Sequence, residues 1–206
     1  MRKTALSLII TMSLVLTSGM GSRLDAQSRL QQTLQQFTAS AVKTEITVWL
    51  PQRAETGLQN PPLADAEPPE GWNQTTRRVS ADGQAFIIKV LRSASPENAL
   101  EIYTANRKDA VSRGGGAALT MSANLPANPA KLSETGGNLL AALGADRIVQ
   151  EITDLRLYSG AAELEGWGSA IQAGNDEINL QIILRPDDKS DYTHLYLAAP
   201  VLITDL

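Results

Sequence analysis

The stretch EINLQIILRP, residues 177–186, decides the fold because every second side chain in it is aliphatic. Such alternation predicts a β-strand with one face in the core and the other toward water. We expect four aliphatic residues on the core face, beneath helices: Ile178, Leu180, Ile182 and Leu184. The other row is either a binding surface or only the wet side of the sheet: Asn179, Gln181, Ile183 and Arg185.

Composition places the chain among globular proteins and excludes several functional classes. Its 206 residues, 43% hydrophobic and 19% charged, suffice for one domain with its own core. Cysteine is absent, so there is no thiol nucleophile, thiolate metal site or disulfide. A net charge of −4 argues against nucleic acid as a partner. We expect no metal and no cofactor.

The first residues have the form of an export signal. Arg2 and Lys3 precede an apolar run over residues 5–16, and small residues follow. A membrane span needs about twenty apolar residues, so residues 1–26 are predicted to be a secretory signal peptide. An uncleaved signal anchor is the alternative. We therefore expect an extracytoplasmic protein with one domain over residues 27–206, which contacts a membrane only if the first segment is retained.

The next part of the chain changes between helical and strand patterns. Residues 26–41 repeat apolar side chains at helical spacing, and residues 43–51 alternate as a strand does. Residues 51–71 contain five prolines, which predicts an exposed loop. Asp82 and Gly83 predict the tight turn of a hairpin, whose second strand should be central because both of its faces are largely apolar.

Two further helices and a β-rich end complete the prediction. Ser95 and Pro96 mark the start of a helix that Gly114 ends, and Ser133 should cap a second helix. Most of the chain after Ala145 alternates as strands. Helices that pack against an antiparallel sheet make an α+β fold.

The C-terminal half resembles the YwmB-like family of exported bacterial proteins. The resemblance covers residues 118–206, and four segments carry it: GGNLLAALGADRIVQEITD (136–154), Trp167, INLQIILR (178–185) and HLYLAAPVLITDL (194–206). It implies a fold similar to the TATA-box-binding protein, with a curved antiparallel sheet from a duplicated unit and helices on one face. The family has no assigned biochemical role, so the resemblance implies none. Four residues from these segments are the candidate binding residues: Trp167, Asn179, Gln181 and Arg185.

Two sets of residues suggest catalysis. His194 follows Ser190 and Asp191, and these are the residue types of a Ser-His-Asp unit. Glu163 and Glu165, expected on one strand face, could form the acid pair of a glycosidase. An ordinary surface histidine and the wet face of a strand are the competing interpretations, and we prefer them because proximity in sequence does not establish catalytic geometry.

Other motifs are better explained by structure than by ligands. Three aspartates of one hairpin loop could supply the oxygens that calcium needs, but they lack the spacing of a calcium loop: Asp187, Asp188 and Asp191. The glycines at 114–116 fit a helix end and turn better than a phosphate cradle, which would precede a helix. With two phenylalanines in the chain, minor-groove wedging of DNA is disfavoured.

The sequence therefore predicts an exported, non-enzymatic protein of the cell envelope. It would bind another envelope protein or a wall polymer through its sheet face or edge. The alternative is a secreted hydrolase that acts on a wall polymer through carboxylates.

Overall fold

The computed structural model describes residues 25–52, 67–81, 84–168 and 170–200, and the structural statements below concern these residues. They form three α-helices: α1 (Ala26–Gln36), α2 (Ala99–Ser112) and α3 (Leu132–Leu143). They also form ten strands: β1 (Ser40–Gln52), β2 (Asn73–Ala81), β3 (Gln84–Ser93), β4 (Gly116–Pro126), β5 (Gln150–Thr153), β6 (Tyr158–Ala162), β7 (Ile171–Ala173), β8 (Asp176–Ile178), β9 (Leu180–Pro186) and β10 (Tyr192–Ala199). The predicted signal peptide, except for its last two residues, and the centre of the proline-rich segment lie outside the described residues.

Eight strands form one antiparallel sheet in the order β2-β3-β1-β4-β10-β9-β6-β5, and β7 and β8 form a separate hairpin. The prediction of an α+β fold with a large antiparallel sheet is confirmed. The two four-stranded halves are connected differently. On one side, α2 carries the chain across from β3 to β4, past β1; on the other, β5, β6, β9 and β10 follow one another as neighbours.

One hydrophobic core lies between the sheet and the helices. Strand residues of one face, among them Ile46, Leu119 and Leu184, join helix residues such as Leu30 and Tyr103 in a single cluster. The helices therefore pack on one face of the sheet. The transfer of these apolar side chains out of water is the main source of stability, because burying apolar surface is the dominant favourable term in folding.

The stretch EINLQIILRP, residues 177–186, lies where its pattern predicts, with one interruption. Leu180, Ile182 and Leu184 are fully buried in this core, and Ile178 is buried as well, so the predicted core face is confirmed. The chain bends at Asn179, which separates β8 from β9. The predicted single strand is therefore two strands that belong to different sheets.

The predicted hairpin is confirmed, because β2 and β3 pair antiparallel up to Ala81 and Gln84. Its two turn residues, Asp82 and Gly83, lie outside the described residues. In the sheet, β3 lies between β2 and β1, one place from the edge. β3 is therefore an interior strand, as predicted, although it is not at the centre of the sheet.

Two helices begin at residues other than those predicted. Helix α2 begins at Ala99, later than Ser95 and Pro96 suggest, and the side chain of Gln27 in α1 accepts a hydrogen bond from the Leu100 amide at 2.9 Å. A partner 73 residues away thus satisfies an amide at the helix start. Ser133 lies inside α3 instead of capping it. Among the described residues, no helix is long and apolar enough to cross a membrane.

Candidate functional site

The sheet has one face without helices, which we call the open face. It carries Lys43, Glu45, Thr47 and Trp49 of β1 and the residues that pair with them across the sheet. Strand alternation produces this division, because Ile46, Val48 and Leu50 point the other way into the core. The side chains of the open face are therefore the ones that this sheet can present to a partner.

A groove follows β1 on the open face. It consists of two adjoining cavities of about 610 and 470 Å³, which share Glu45, Arg92 and Thr120. The larger cavity contains Trp49 and Arg77, and the smaller one extends to another set of residues, among them Lys43, Ser122 and Tyr196. The groove combines an aromatic and aliphatic floor with hydroxyl and charged side chains, a composition typical of binding sites.

Trp49 owes its position in the groove to a glycine on the neighbouring strand. The indole is half-buried and occupies the space where a side chain of residue 116 would stand. A Cβ atom on Gly116 would lie 2.5 Å from Cζ2 of the indole, which is closer than atoms can pack. The glycines at 114–116 therefore have two roles. Gly114 adopts a φ of 79° after α2, as the helix-end interpretation predicts, and Gly116 makes room for Trp49.

A cross-strand ion pair lies in the middle of the groove. The Nε atom of Arg92 is 2.7 Å from Oε2 of Glu45, and Thr47 donates a hydrogen bond to the other oxygen of Glu45 at 3.3 Å. The Arg92 side chain is 56% exposed, so water screens the pair and its contribution to stability is small. The pair instead fixes the positions of a cation and an anion at the point where the two cavities meet.

Positive charge predominates on the open face. Among the described strand residues, four cationic side chains lie on this face against one carboxylate, Glu45: Lys43, Arg77, Arg92 and Arg185. The turn residue Asp187 adds a second carboxylate, which contacts His194 of the same face at 3.6 Å. Neither Lys43 nor Arg77 has an acidic partner among the residues that the structure describes. The net charge of the whole chain is −4, so the distribution of charge over the surface is strongly uneven.

Two of the four candidate binding residues lie inside the protein. Trp167 is fully buried in the core, and Asn179 is 3% exposed. The Asn179 side chain accepts a hydrogen bond from the Leu164 amide and donates to the carbonyls of Leu164 and Gly168. Asn179 thus fastens the loop that carries Trp167, and these contacts give both residues a structural role.

The other two candidates lie on the open face, on β9 and outside the groove lining. Gln181 is half-buried and donates a hydrogen bond to Ser159 at 3.2 Å, whereas Arg185 is exposed. Ile183, between them on the same face, is buried. The sequence identified this part of the open face, but it missed Trp49, Arg77 and the groove. A tryptophan in the outward row of a strand, with a run of glycines elsewhere, was the available signal.

The residues of the Ser-His-Asp hypothesis form a different arrangement. The Ser190 hydroxyl donates to Asp187 at 2.7 Å, and His194 contacts the same carboxylate at 3.6 Å and Asn124 at 3.0 Å. Serine and histidine therefore meet at a shared carboxylate and not at each other. The hydrogen bonds from Ser190 and the Lys189 amide lower the pKa of Asp187, with a smaller contribution from His194. Such contacts hold the β9–β10 turn in place.

The described residues do not support a glycosidase acid pair or a calcium site. Glu163 and Glu165 are exposed in the loop after β6 ends at Ala162, and they do not lie on one strand face as expected. Asp188 contacts Arg156 at 3.3 Å. Within the described part of the chain, no group of three His, Cys, Asp or Glu residues is placed to hold a metal ion.

Fold and surface together define an α+β protein with a grooved sheet face that its helices leave uncovered. Compared with known proteins, the chain matches no family model and no curated protein.

Proposed function

We propose that this protein is an exported, non-enzymatic module of the cell envelope that binds an envelope protein or a wall polymer through the open face. The observation that carries the proposal is the groove along β1, in which Trp49 lies beside uncovered polar and cationic side chains. Half-buried tryptophan and arginine are the side chains that most often dominate binding energy at protein surfaces.

The chemistry of the groove favours binding over catalysis. Glu45, its carboxylate, is engaged by Arg92 and Thr47. A general acid or base needs a carboxylate whose proton can reach the substrate, and a glycosidase needs two of them. No observation on the described residues therefore favours the hydrolase alternative.

Export and cellular location rest on the sequence. The basic start and the short apolar run of residues 1–26 support a signal segment. The absence of cysteine is compatible with a location outside the cytoplasm. The resemblance to the YwmB-like family supports the same location. Helix α1 begins at Ala26, and Asp25 caps it by accepting a hydrogen bond from the Ser28 amide at 2.7 Å. We propose that signal cleavage occurs before Asp25, so that the cap is retained.

The finer description of the fold is also a proposal. A single antiparallel sheet with helices on one face supports a likeness to the TATA-box-binding protein. The different connections of the two four-stranded halves weigh against an exact internal duplication. Nucleic acid remains outside the proposal, because the proposed export would separate the protein from the nucleic acid of the cytoplasm.

Affinity capture from the envelope tests the proposed function. The mature protein is immobilised, exposed to solubilised envelope material, and compared with a Trp49→Ala, Arg77→Gln double variant. Bound proteins and glycans are both identified. The proposal expects at least one identified component to bind the unaltered protein and to be lost from the double variant. Equal capture by both proteins would show that the open face is not the binding surface.

A correctly folded control variant makes this comparison interpretable. Arg78→Gln removes the same charge one residue further along β2, where strand alternation places the side chain on the opposite face. Thermal unfolding of all three proteins verifies that they are folded. The Arg78 variant should capture the same components as the unaltered protein.

A further inference from the structure

We propose that the groove binds a linear polysaccharide with regularly spaced anionic groups. This inference rests on the proposed function and names the partner that the open face would take. Four observations carry it: the sign of the charges, the length of the groove, the side chains between the charges, and the position of the groove within the sheet.

Charge complementarity requires an anionic partner. Lys43 and Arg77 lie in the two cavities of the groove, and neither has an acidic partner among the described residues. Arg92 lies between them and forms an ion pair with Glu45. A partner with several negative groups along its length would compensate these cations in an otherwise acidic protein, and a neutral partner would not.

The length of the groove fits a chain rather than a small molecule. Lys43 and Trp49 are six residues apart on β1, and an extended strand rises about 3.3 Å per residue, so the two side chains are roughly 20 Å apart. Arg77 lies level with Trp49, because both pair with Ile88, and Arg92 lies level with Glu45. The cations Lys43, Arg92 and Arg77 thus lie along the groove and not around one point. A polymer with repeated charges satisfies this arrangement.

The side chains between the cations match sugar hydroxyls. Thr47, Thr75 and Thr120 line the groove. A threonine hydroxyl can donate and accept a hydrogen bond, as sugar hydroxyls do, and Thr47, which donates to Glu45, can still accept one. Trp49 offers a broad apolar surface against which the C–H face of a sugar ring can pack. A nucleic-acid strand would instead need a series of stacking platforms along the groove.

The position of the groove disfavours an extended peptide. Peptides that add a strand to a sheet pair with an exposed edge. The groove runs over the face of the sheet from the edge strand β2 across β3, β1 and β4 to β10. The backbone groups of β3, β1 and β4 already pair with neighbouring strands on both sides, and β2 contributes to the groove through side chains of this face, such as Thr75 and Arg77. Recognition here must use side chains, which suits a ligand rich in hydroxyl and anionic groups.

Tryptophan fluorescence offers a measurement at the site itself. Of the three tryptophans, Trp72 is 7% exposed and Trp167 is fully buried, whereas Trp49 is half-buried in the groove. Polygalacturonate and phosphorylated dextran serve as anionic probes, with neutral dextran of similar length as the control. We expect saturable fluorescence changes with at least one anionic probe, weakened by salt because screening reduces charge interactions, and none with neutral dextran.

Substitutions locate the binding. Lys43→Gln and Arg77→Gln should each weaken the affinity by about twofold to fivefold, the range expected for one exposed charge pair. Arg78→Gln, with the same loss of charge on the other face, should leave the affinity unchanged. If it weakens the affinity as much as Arg77→Gln does, net charge and not the groove is responsible, and the inference is wrong.

A single-stranded nucleic acid and an acidic polypeptide are the competing anionic ligands that must be tested. Oligothymidylate or polyglutamate binding as tightly as the polysaccharides would overturn the inference, as would failure of both anionic polysaccharides to bind. If neither polysaccharide binds while envelope capture still depends on Trp49 and Arg77, the proposed function stands and this inference alone fails. If envelope capture is also independent of the open face, both are wrong.

Discussion

Replacement of Tyr158 by phenylalanine should make the protein more resistant to alkaline unfolding. Tyr158 of β6 is fully buried, and its hydroxyl has no hydrogen-bond partner among the described residues. Its ring packs so closely on two glycines that a Cβ atom would lie 2.1 Å from the ring at Gly136 and 2.5 Å from the hydroxyl at Gly160. Burial, and secondarily the charge of Glu151, raises the pKa of Tyr158 to about 12 from 10.

The magnitude follows from the two pKa values. Above pH 10 the phenol ionises in the unfolded chain but not in the folded protein, so the free energy of unfolding falls by about 1.4 kcal/mol per pH unit until the pH approaches 12. At pH 11 the loss from this residue is therefore about 1.4 kcal/mol. Below pH 10 the phenol is neutral in both states. There Tyr158→Phe should be neutral or slightly stabilising, because it removes a buried hydroxyl without a partner.

Urea unfolding at pH 8 and pH 11 measures this difference. The stability of Tyr158→Phe relative to the unaltered protein should rise by about 1.4 kcal/mol between the two pH values. Tyr192→Phe is the control, because Tyr192 is 47% exposed and meets water in both states. If the unaltered protein and Tyr158→Phe lose stability in parallel, the reasoning from a buried neutral phenol is refuted.

Three further substitutions test other parts of the structure by urea unfolding. Asn179→Ala should destabilise the protein by about 2 kcal/mol or more, since it leaves buried backbone groups of the 163–168 loop without partners; a change below about 0.5 kcal/mol would contradict that role. Lys89→Met should stabilise the protein at pH 7, because burial lowers the pKa of Lys89 against a weaker opposing effect of Asp109; destabilisation would mean that the attraction to Asp109 prevails. Asp25→Ala should cost about 1 kcal/mol by removing the cap of α1, whereas Asp25→Asn should cost much less.

The sequence predicted those strands in which the local order of apolar and polar residues determines which face is buried. The aliphatic row of residues 178–184 had to face a core because no other arrangement buries Leu180, Ile182 and Leu184 together. The hairpin of β2 and β3 followed from two strand patterns joined by a two-residue turn. In both cases the signal lies within a few residues of sequence.

Features that depend on distant partners were not predictable in the same way. Asn179 occupies a polar position in an alternating run, but its partners lie in a loop that folds back over it. Gln27 completes the start of α2 from 73 residues away. The groove requires β3, β1 and β4 to be neighbours. The alternation of side chains along a strand indicates the face on which a residue lies, but it does not indicate which strand is the neighbour.

Hydroxyl-radical footprinting on isolated envelopes tests the central claim most directly, because it reports protection of individual side chains. We expect contact with the envelope to protect Trp49 and to leave unprotected two exposed side chains away from the groove, namely Val111 on α2, 55% exposed, and Leu155 in the loop between β5 and β6 at the opposite edge of the sheet, 92% exposed. Protection of Val111 or Leu155 with no change at Trp49 would show that the protein binds through another surface, and it would contradict the proposed role of the open face.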